Sequence, residues 1–423
     1  MPLRALTVDF NSYFASVEQQ ERPALRGRPV GIVPVMAETT GCIAVSIEAK
    51  QLGLVRNVRV AEARRLVPGL QIVEARPDLY ISYHRRLVEI IESCLHIAKV
   101  QSIDEVTCEL SGGWAERARA EAVARQIREQ ISRQAGPCLR CSIGIAPNWL
   151  LAKVASGMEK PDGLVVLEDA DVPAKLLRLK PGDISGIGPN LQRRLEEHGI
   201  RTLEQLYAAT KAELRGLWRG VVGERMWRLL HGEDQPFFEQ EEGQTIGHGQ
   251  VLPPAQRHET AALAVLHRLL QKAALRLRDS GLYAGALRVS VRCADGEGWG
   301  DGLSFNETQD TLMLLHALNQ LWARRPSSLA TGRPLKVSVM LCRLLRSEAH
   351  TPDFFAPARE GTRDRLFAAM DTLNRTFGKN SVYFGGAHGA TDYAPMRIAF
   401  TRIPRPELEE IDASRGRRLR PKK

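Results

Sequence analysis

The sequence predicts a multidomain protein of the α+β class. Its 423 residues exceed the usual size of one domain, which favours two to four separate cores. The hydrophobic pattern also changes twice along the chain. Strand-like and helix-like segments alternate up to about residue 163, helical periodicity follows to about residue 240, and a sheet with one polar face is indicated beyond that.

The first third of the chain predicts a sheet with helices and one long insertion. Leu3 to Val8 has the composition of a strand. The insertion, from about residue 22 to 74, ends in a helix-like segment, residues 60–66, before Pro68. Residues 116–134 repeat apolar side chains at helical spacing, with Arg and Glu on the opposite face: Ala120, Val123, Ala124, Ile127 and Ile131.

Two acidic motifs about a hundred residues apart carry the candidate chemistry. Asp9 ends the first predicted strand, and Asp104 and Glu105 lie between predicted strands at 97–102 and 106–110. A hairpin there lets both carboxylates converge. Three carboxylates from neighbouring strands can hold two hard divalent cations, because Mg²⁺ takes oxygen ligands and keeps positions open for phosphate oxygens. This layout is typical of a nucleotidyl transferase, whereas an isolated Asp-Glu pair is more often a surface turn.

These motifs resemble those of the Y-family translesion DNA polymerases. Asp9 to Glu18, followed by Ser102-Ile103-Asp104-Glu105, is similar to the paired acidic signatures of that family. The Asp-x-Asn form of the first motif is most similar to the branch that contains the catalytic subunit of the bacterial SOS mutasome. Further motifs follow in the order of the family and extend the resemblance over most of the chain: residues 41–50, 142–148, Lys153, 158–163, 184–188 and 382–385.

The resemblance implies a right-hand polymerase fold with one additional domain. The implied domains are a catalytic palm at 1–21 and 75–165, small fingers at 22–74, a helix-hairpin-helix thumb at 166–240, an α/β little finger at 245–345, and a C-terminal region at 346–423.

The resemblance also implies the catalytic roles. Asp9, Asp104 and Glu105 would be the catalytic carboxylates and would hold two Mg²⁺ ions, with the carbonyl of Phe10 as an added oxygen ligand. One ion would activate the primer 3′-hydroxyl, and the other would bind the triphosphate and the pyrophosphate leaving group. Because such catalysis rests on alignment and charge stabilisation, loss of one carboxylate would be nearly fatal.

Four further side chains are candidates for binding the nucleotide. Tyr13 and Phe14 follow the first aspartate, and Phe14 resembles the steric gate of the family, an aromatic ring that fills the space needed by a ribose 2′-hydroxyl. Buried aromatic residues are, in general, more often plain core. Lys50 and Lys160 are candidate cations for the triphosphate, with a solvated surface position as the alternative interpretation.

Two positions depart from much of the family. Ala44 and Ile47 stand where a Thr and a Tyr commonly hydrogen-bond the phosphates. The mutasome branch also lacks that Tyr, so the departure indicates a subgroup with weaker nucleotide affinity and does not argue against activity.

Glycine turns before helices predict contacts with the DNA backbone. Gly186 and Gly188 precede an amphipathic segment at 191–198, and a second such turn lies at 220–224. Free N–H groups at a helix start can hold a phosphate. A single turn of this kind is more often an ordinary loop, but two in succession, in a chain of net charge +10 and at the thumb position of the family, favour DNA binding.

Residues 245–345 predict a sheet with one face covered by helices. A long helix is expected from His258 to Ser280, and two strands alternate apolar with polar side chains. Arg288, Arg292 and Lys336 then lie on the polar face. Such alternation usually marks a solvated face, but the resemblance implies that this one binds the DNA backbone without base-specific readout.

The C-terminal region contains one candidate peptide motif. His350-Thr351-Pro352-Asp353-Phe354-Phe355 resembles a degenerate sliding-clamp peptide with His in place of the usual leading Gln. Asp353, Phe354 and Phe355 would then bind the clamp, with the aromatic pair in an apolar pocket, and a packed loop is the alternative. The tail at 415–423 is basic and is expected to be disordered and to attract DNA weakly.

Composition limits the cellular setting. No apolar stretch reaches the roughly 18 to 20 residues needed to cross a bilayer. The seven cysteines do not predict a disulfide framework, and the lone CxxC of Cys138 and Cys141 is more often structural than zinc-binding or redox-active. A reducing cytoplasm is therefore the expected compartment.

Three functions fit these patterns to different degrees. The leading one is template-directed, error-prone synthesis across damaged DNA, in DNA repair and the SOS response. Its partners would be primer–template DNA and dNTP, with a sliding clamp and an SOS accessory subunit as further candidates. A catalytically weak accessory scaffold that binds the clamp and partner proteins is the alternative, although the three carboxylates and Lys160 argue against it. A palm-type nucleotide cyclase could share a two-metal site but has no need of a thumb or a basic sheet.

Overall fold

The computed structural model describes residues 2–238, 244–327, 332–350, 360–378 and 380–391. These residues form two compact units. The first unit contains residues 2–34 and 41–238, and the second contains residues 35–40 and the described residues from 244 onward. The predicted multidomain α+β class is confirmed, whereas the domain boundaries given above stay a prediction.

A five-stranded sheet forms the centre of the first unit, in the order β5-β6-β1-β7-β8. The first strand is almost fully buried and lies between two antiparallel neighbours, as its run of apolar residues requires. The strands are β1 Ala5–Phe10, β5 Ile97–Ser102, β6 Glu105–Glu109, β7 Cys141–Ala146 and β8 Leu164–Val166.

Three helices accompany this sheet: α4 Pro77–Cys94, α5 Arg117–Gln134 and α6 Trp149–Met158. Helix α5 coincides with the predicted helix, and the five apolar residues named for it are all buried. Helix α6 packs so closely on β7 that a side chain at Gly144 would come within 2.0 Å of the carbonyl oxygen of Ala152. Glycine at that position is therefore required by the close approach.

A second, three-stranded sheet in the order β3-β2-β4 lies in the predicted insertion. Its strands and adjoining helices are β2 Val30–Val33, β3 Ala44–Val45, β4 Gln71–Glu74, α2 Ile47–Gln51 and α3 Val60–Leu66. A separate apolar cluster that includes Cys42, Leu54 and Val60 packs under it. Helix α1, Tyr13–Glu21, precedes this sheet and follows β1 directly.

Four short helices complete the first unit: α7 Pro189–Glu197, α8 Leu203–Ala208, α9 Lys211–Trp218 and α10 Val221–Leu230. Thr202 and Thr210 cap α8 and α9 in reciprocal capping boxes with Gln205 and Glu213. The apolar faces of these helices share one core with α6. The side-chain amide of Asn148 donates to the carbonyls of Leu229 at 2.8 Å and Glu233 at 3.1 Å, which ties the helical part to the central sheet.

The second unit contains a four-stranded antiparallel sheet in the order β11-β10-β12-β9. Its elements are β9 Ile246–Val251, β10 Leu282–Cys293, β11 Gly298–Thr308, β12 Pro334–Arg346, α11 Glu259–Asp279 and α12 Thr311–Ala323. The predicted alternation is confirmed, because Leu287, Val289 and Val291 are buried whereas Arg288 and Arg292 are exposed. His258 and Ser280 cap α11 at its two ends.

A helix that the sequence patterns did not predict, α13 Glu360–Phe377, packs on the second unit. Asp371 accepts two hydrogen bonds from the guanidinium of Arg278, each of 2.8 Å, and Phe367 is buried beneath the same arginine. Asp353, Phe354 and Phe355, together with the basic tail, lie outside the described residues. Among the described helices, none is both long and apolar enough to span a membrane.

Candidate active site

The register of the central sheet places two of the predicted carboxylates face to face. Asp9 on β1 pairs with Glu105 on β6, so both side chains project from the same face of the sheet. Glu105 is the first residue of β6 and not a turn residue, so the tight turn after β5 consists of Ile103 and Asp104. The amide of Phe10 donates to the carbonyl of Asp104 at 2.8 Å and holds that turn against β1.

The eight residues predicted for catalysis and nucleotide binding meet in one cleft of about 580 Å³. The cleft lies between the central sheet and the second, three-stranded sheet. The residues predicted from the sequence that line this cleft are Asp9, Phe10, Tyr13, Phe14, Lys50, Asp104, Glu105 and Lys160. Residues far apart in the sequence are thus brought together, although their individual roles stay predictions.

Lysine side chains pair with two of the three carboxylates. Lys160 Nζ lies 2.6 Å from Asp9 Oδ2, and Lys153 Nζ lies 2.5 Å from Glu105 Oε2. Asp104 instead accepts a hydrogen bond of 2.5 Å from the hydroxyl of Ser102. Lys153 belongs to a motif quoted above, but its pairing with Glu105 was not predicted.

Burial makes the two paired carboxylates costly to ionise. Burial raises the pKa of Asp9, against the lowering effect of Lys160, and the charge of Asp104 raises it further. Burial likewise raises the pKa of Glu105, opposed by Lys153. Glu105 is only 7% exposed, and its Oε1 atom has no hydrogen-bond partner among the described residues.

This donor set fits a divalent cation. Three carboxylates line the cleft, and one buried carboxylate oxygen lacks a partner among the described residues, as expected where a hard cation would supply the missing charge. Within the described ranges, no three His, Cys, Asp or Glu side chains are arranged so that they could hold a metal ion as they stand. In this arrangement Lys160 and Lys153 pair with Asp9 and Glu105.

The cost of the buried charge predicts a gain in stability on its removal. Glu105→Gln is expected to raise the melting temperature of metal-free protein by about 1–3 °C at about pH 8, while removing activity. A folded pKa above the ordinary 4.5 means that the folded state favours the protonated acid, so the wild type is penalised more as the pH rises through that pKa. The difference between variant and wild type should therefore shrink as the pH falls towards 4.5. Thermal melts in a chelating buffer measure this, and a variant that melts lower at every pH would contradict it.

The cleft also has basic lining residues. Lys50 on α2, Arg56 in the following loop and Lys160, which is paired with Asp9, all line it. Partial burial lowers the pKa of Lys50, the charge of Lys160 lowers it further, and Asp9 opposes the effect. Arg56 was not predicted, because it lies in an irregular loop where no periodicity marks it.

The two departures from the family pattern also line the cleft. Ala44 and Ile47 present apolar side chains to the space and offer no hydroxyl to a ligand.

Tyr13 and Phe14 begin helix α1 and form an aromatic side of the cleft. Both are almost fully buried, at 3% and 2% exposed, and their ring centroids lie 5.7 Å apart. The ring of Phe14 stacks on Tyr80, with centroids 4.5 Å apart and an interplanar angle of 15°. Phe14 therefore lines the cleft with a ring that is backed by other side chains.

The residues predicted to bind DNA lie in turns and on one sheet face. Gly186 has a φ of +97°, which glycine adopts readily, and Gly188 immediately precedes α7. In the second unit, Arg292 pairs in register with Lys336, and both are exposed, as is Arg288. These three cations share one face of the sheet because residues i and i+4 of a strand point the same way.

The cysteines support the structural interpretation of the CxxC motif. All seven are free thiols, and all lie within the described ranges. Burial raises the pKa of Cys141 to about 12, so its thiol is not a reactive thiolate near neutral pH.

Two family models match the chain. The impB/mucB/samB family model matches residues 8–157, and the model of the C-terminal domain of that family matches residues 244–353.

Curated relatives match over most of the chain. DNA polymerase IV of Moorella thermoacetica is 31% identical over 388 residues, covering 89% of this chain and 94% of the relative. DNA polymerase IV of Neisseria meningitidis is 30% identical, covering 76% and 91%. DNA polymerase IV 1 of Bacillus subtilis is 31% identical, covering 68% and 70%. These names support the Y family as a whole and give no specific support to the mutasome branch.

Solved structures support the fold. A Y-family DNA polymerase chimera of Dbh and Dpo4 aligns with a TM-score of 0.66 at 22% identity, covering 81% of this chain and 99% of that chain. An insertion ternary complex of Dbh DNA polymerase aligns with a TM-score of 0.52 at 23% identity over the same shares. With the family matches and the relatives above, the chain belongs to the impB/mucB/samB family of Y-family translesion DNA polymerases and is a DNA-directed DNA polymerase.

Proposed function

We propose that this polymerase performs error-prone synthesis across damaged templates in the cytoplasm, as part of the SOS response. The observation that carries the proposal is the shared cleft, which is lined by three carboxylates and three cations. Such a cleft suits a metal-bound triphosphate, because the carboxylates hold the metal and the cations neutralise the phosphates.

Asp9, Asp104 and Glu105, with the carbonyl of Phe10, would hold two Mg²⁺ ions. Bound Mg²⁺ would lower the pKa of the primer 3′-hydroxyl and neutralise charge on the triphosphate. The protein must first release Lys160 from Asp9 and Lys153 from Glu105. Since Lys160 also lines the cleft, triphosphate oxygens offer its ammonium group another anionic partner.

The remaining residues of the cleft would position the nucleotide. Lys50 and Arg56 would bind phosphate oxygens, and the ring of Phe14 would exclude a ribose 2′-hydroxyl. Ala44 and Ile47 cannot donate a side-chain hydrogen bond to the phosphates, so nucleotide affinity should be lower than in relatives that carry hydroxyls there. Catalysis would then rest on alignment of the primer and the α-phosphate.

Primer extension with Mg²⁺ on undamaged and abasic templates tests the function. Wild-type protein is expected to extend both primers and to incorporate nucleotides opposite the abasic site. DNA binding without extension on either template would instead favour the accessory scaffold. Extension of undamaged DNA alone would leave a polymerase without the translesion role.

The exposed cations of the second unit would bind the DNA backbone. Replacing Arg288, Arg292 and Lys336 by Ala is expected to reduce the slope of log affinity against log salt by about 2.7, or about 0.9 for each lost phosphate contact. The loss should not depend on DNA sequence, because phosphate contacts carry no base information. Gly186 and Gly188 would add backbone N–H contacts at the start of α7.

A triple variant with the same change in net charge provides the control for this experiment. Arg119, Arg125 and Arg133 are exposed arginines on α5, each paired with a glutamate of its own helix or N-cap. Replacing them by Ala should leave the salt slope nearly unchanged. Equal losses in both triple variants would mean that net charge alone binds DNA.

The proposal also includes the mutasome branch, an SOS accessory subunit and a sliding clamp. The Asp-x-Asn motif favours the mutasome branch, in which an SOS accessory subunit would stimulate synthesis, so extension that such a subunit leaves unchanged would count against it. A sliding clamp would bind Asp353, Phe354 and Phe355. Loss of clamp stimulation after Phe354→Ala with Phe355→Ala, at unchanged unassisted extension, would support that site.

A further inference from the structure

An ion pair between a buried glutamate and a half-buried arginine lies directly behind the aromatic side of the cleft. Glu18 follows Phe14 by one helical turn on α1, and its side chain is fully buried. Arg76, just before α4, donates from Nε to Glu18 Oε1 at 2.9 Å and from Nη2 to Oε2 at 2.6 Å. This two-pronged geometry fixes both side chains more firmly than a single contact would.

The same carboxylate holds the ring on which Phe14 stacks. The hydroxyl of Tyr80, which is completely buried, donates to Glu18 Oε1 at 2.9 Å. At the other end of Tyr80, its backbone carbonyl accepts a hydrogen bond of 2.6 Å from the hydroxyl of Tyr13. Tyr80 is therefore held at both its phenol and its backbone, with its ring parallel to that of Phe14.

We propose that Glu18 and Arg76 are positioning residues for sugar discrimination, acting through Tyr80 on Phe14. The proposal rests on the proposed role of Phe14 as the sugar filter. An aromatic ring excludes a hydroxyl only if it cannot move back. Here the space behind Phe14 is filled by the ring of Tyr80, which is hydrogen-bonded to the buried carboxylate of Glu18. Loss of the hydrogen bond between Tyr80 and Glu18 should let the ring of Phe14 move away from a ribose 2′-hydroxyl.

The network suits this purpose better than it suits stability. An ion pair with a fully buried carboxylate is weak support for stability, since the desolvation cost of that carboxylate offsets much of the attraction between the charges. What it supplies is a fixed geometry, provided that its hydrogen bonds are satisfied. Both oxygens of Glu18 are bonded, which is the condition for such a fixed support.

Two conservative variants test this positioning role. Tyr80→Phe keeps the stacked ring and removes only the hydroxyl bonded to Glu18, and Glu18→Gln keeps the size and removes the charge. Each is expected to lower the preference for dNTP over rNTP, as a ratio of kcat/KM, by about tenfold, mainly through better use of rNTP. Incorporation of dNTP should change by less than about threefold.

Tyr83→Phe is the matched control. The hydroxyl of Tyr83 donates to Glu21 Oε1 at 2.7 Å, so this variant also removes a Tyr–Glu bond between α4 and α1, but at an exposed position that does not line the cleft. Its sugar preference and its dNTP incorporation should match the wild type.

Single-turnover incorporation of dNTP and of rNTP, measured together with melting temperatures, distinguishes a positioning role from a role in folding. If Phe14→Ala lost the preference for dNTP over rNTP whereas Tyr80→Phe and Glu18→Gln kept it, the positioning role would be overturned and the sugar filter would stand. Unchanged preference in Phe14→Ala would overturn the proposed sugar filter itself. Equal losses of dNTP and rNTP incorporation, accompanied by a lower melting temperature, would show that the network only supports folding. That result would also overturn the positioning role.

Discussion

Asp104→Asn is expected to lower single-turnover incorporation at least about a thousandfold while leaving DNA affinity within about twofold of wild type. The substitution keeps the shape of the side chain and its hydrogen bond from Ser102, but removes one of the three negative charges in the cleft. DNA affinity should persist because phosphate contacts elsewhere in the protein are untouched. Asp9→Asn and Glu105→Gln should behave in the same way.

Glu109→Gln is the matched control for these three variants. Glu109 ends the same strand that Glu105 begins, and its exposed carboxylate lies outside the cleft. This variant should extend primers like the wild type. If Asp104→Asn extended primers at the wild-type rate, or if Glu109→Gln lost as much activity, the assignment of the carboxylates would be wrong.

Local periodicity was sufficient to predict several elements of the fold. Helix α5 was predicted within one residue of its observed start, because its apolar residues recur every three or four positions. The alternation in β10 likewise marked the buried and the exposed face correctly. Both patterns depend only on residues close together in the sequence, so neither needs knowledge of the tertiary structure.

The cleft was predictable for a different reason. Motifs that resemble those of a known family brought Asp9, Phe14, Asp104 and Lys160 together in the prediction, and the structure gathers them in one cleft. The pattern of apolar residues alone would not have done so, because these side chains come from a strand, a helix, a turn and a loop.

Contacts between distant segments escaped prediction. Glu18 meets Arg76 and Tyr80 across 58 and 62 residues, and Glu105 meets Lys153 across 48. Nothing in the local sequence distinguishes such side chains from solvated ones. The start of β6 at Glu105 was missed for the same reason, since it depends on the register with Asp9.

Phe14→Ala is expected to raise the use of rNTP relative to dNTP by about a hundredfold. The ring is almost fully buried and lines the cleft, so its removal opens space where a 2′-hydroxyl would otherwise collide. The relative use of rNTP by Phe14→Leu should lie between that of Phe14→Ala and that of the wild type, because part of the side-chain volume remains. Tyr13→Phe keeps the volume of its ring and removes only the hydrogen bond to the Tyr80 carbonyl, so it should change the preference by no more than the roughly tenfold expected for Tyr80→Phe.

The size series separates a steric filter from general damage. A steric filter predicts that relative rNTP use rises in the order Phe, Leu, Ala, with the gain confined to kcat/KM for the ribose substrate. Damage to the core predicts that incorporation of both sugars falls together with the melting temperature, because a cavity beside Tyr80 destabilises the fold. Unchanged sugar preference in Phe14→Ala would contradict the steric filter and would leave Phe14 as a residue of the hydrophobic core.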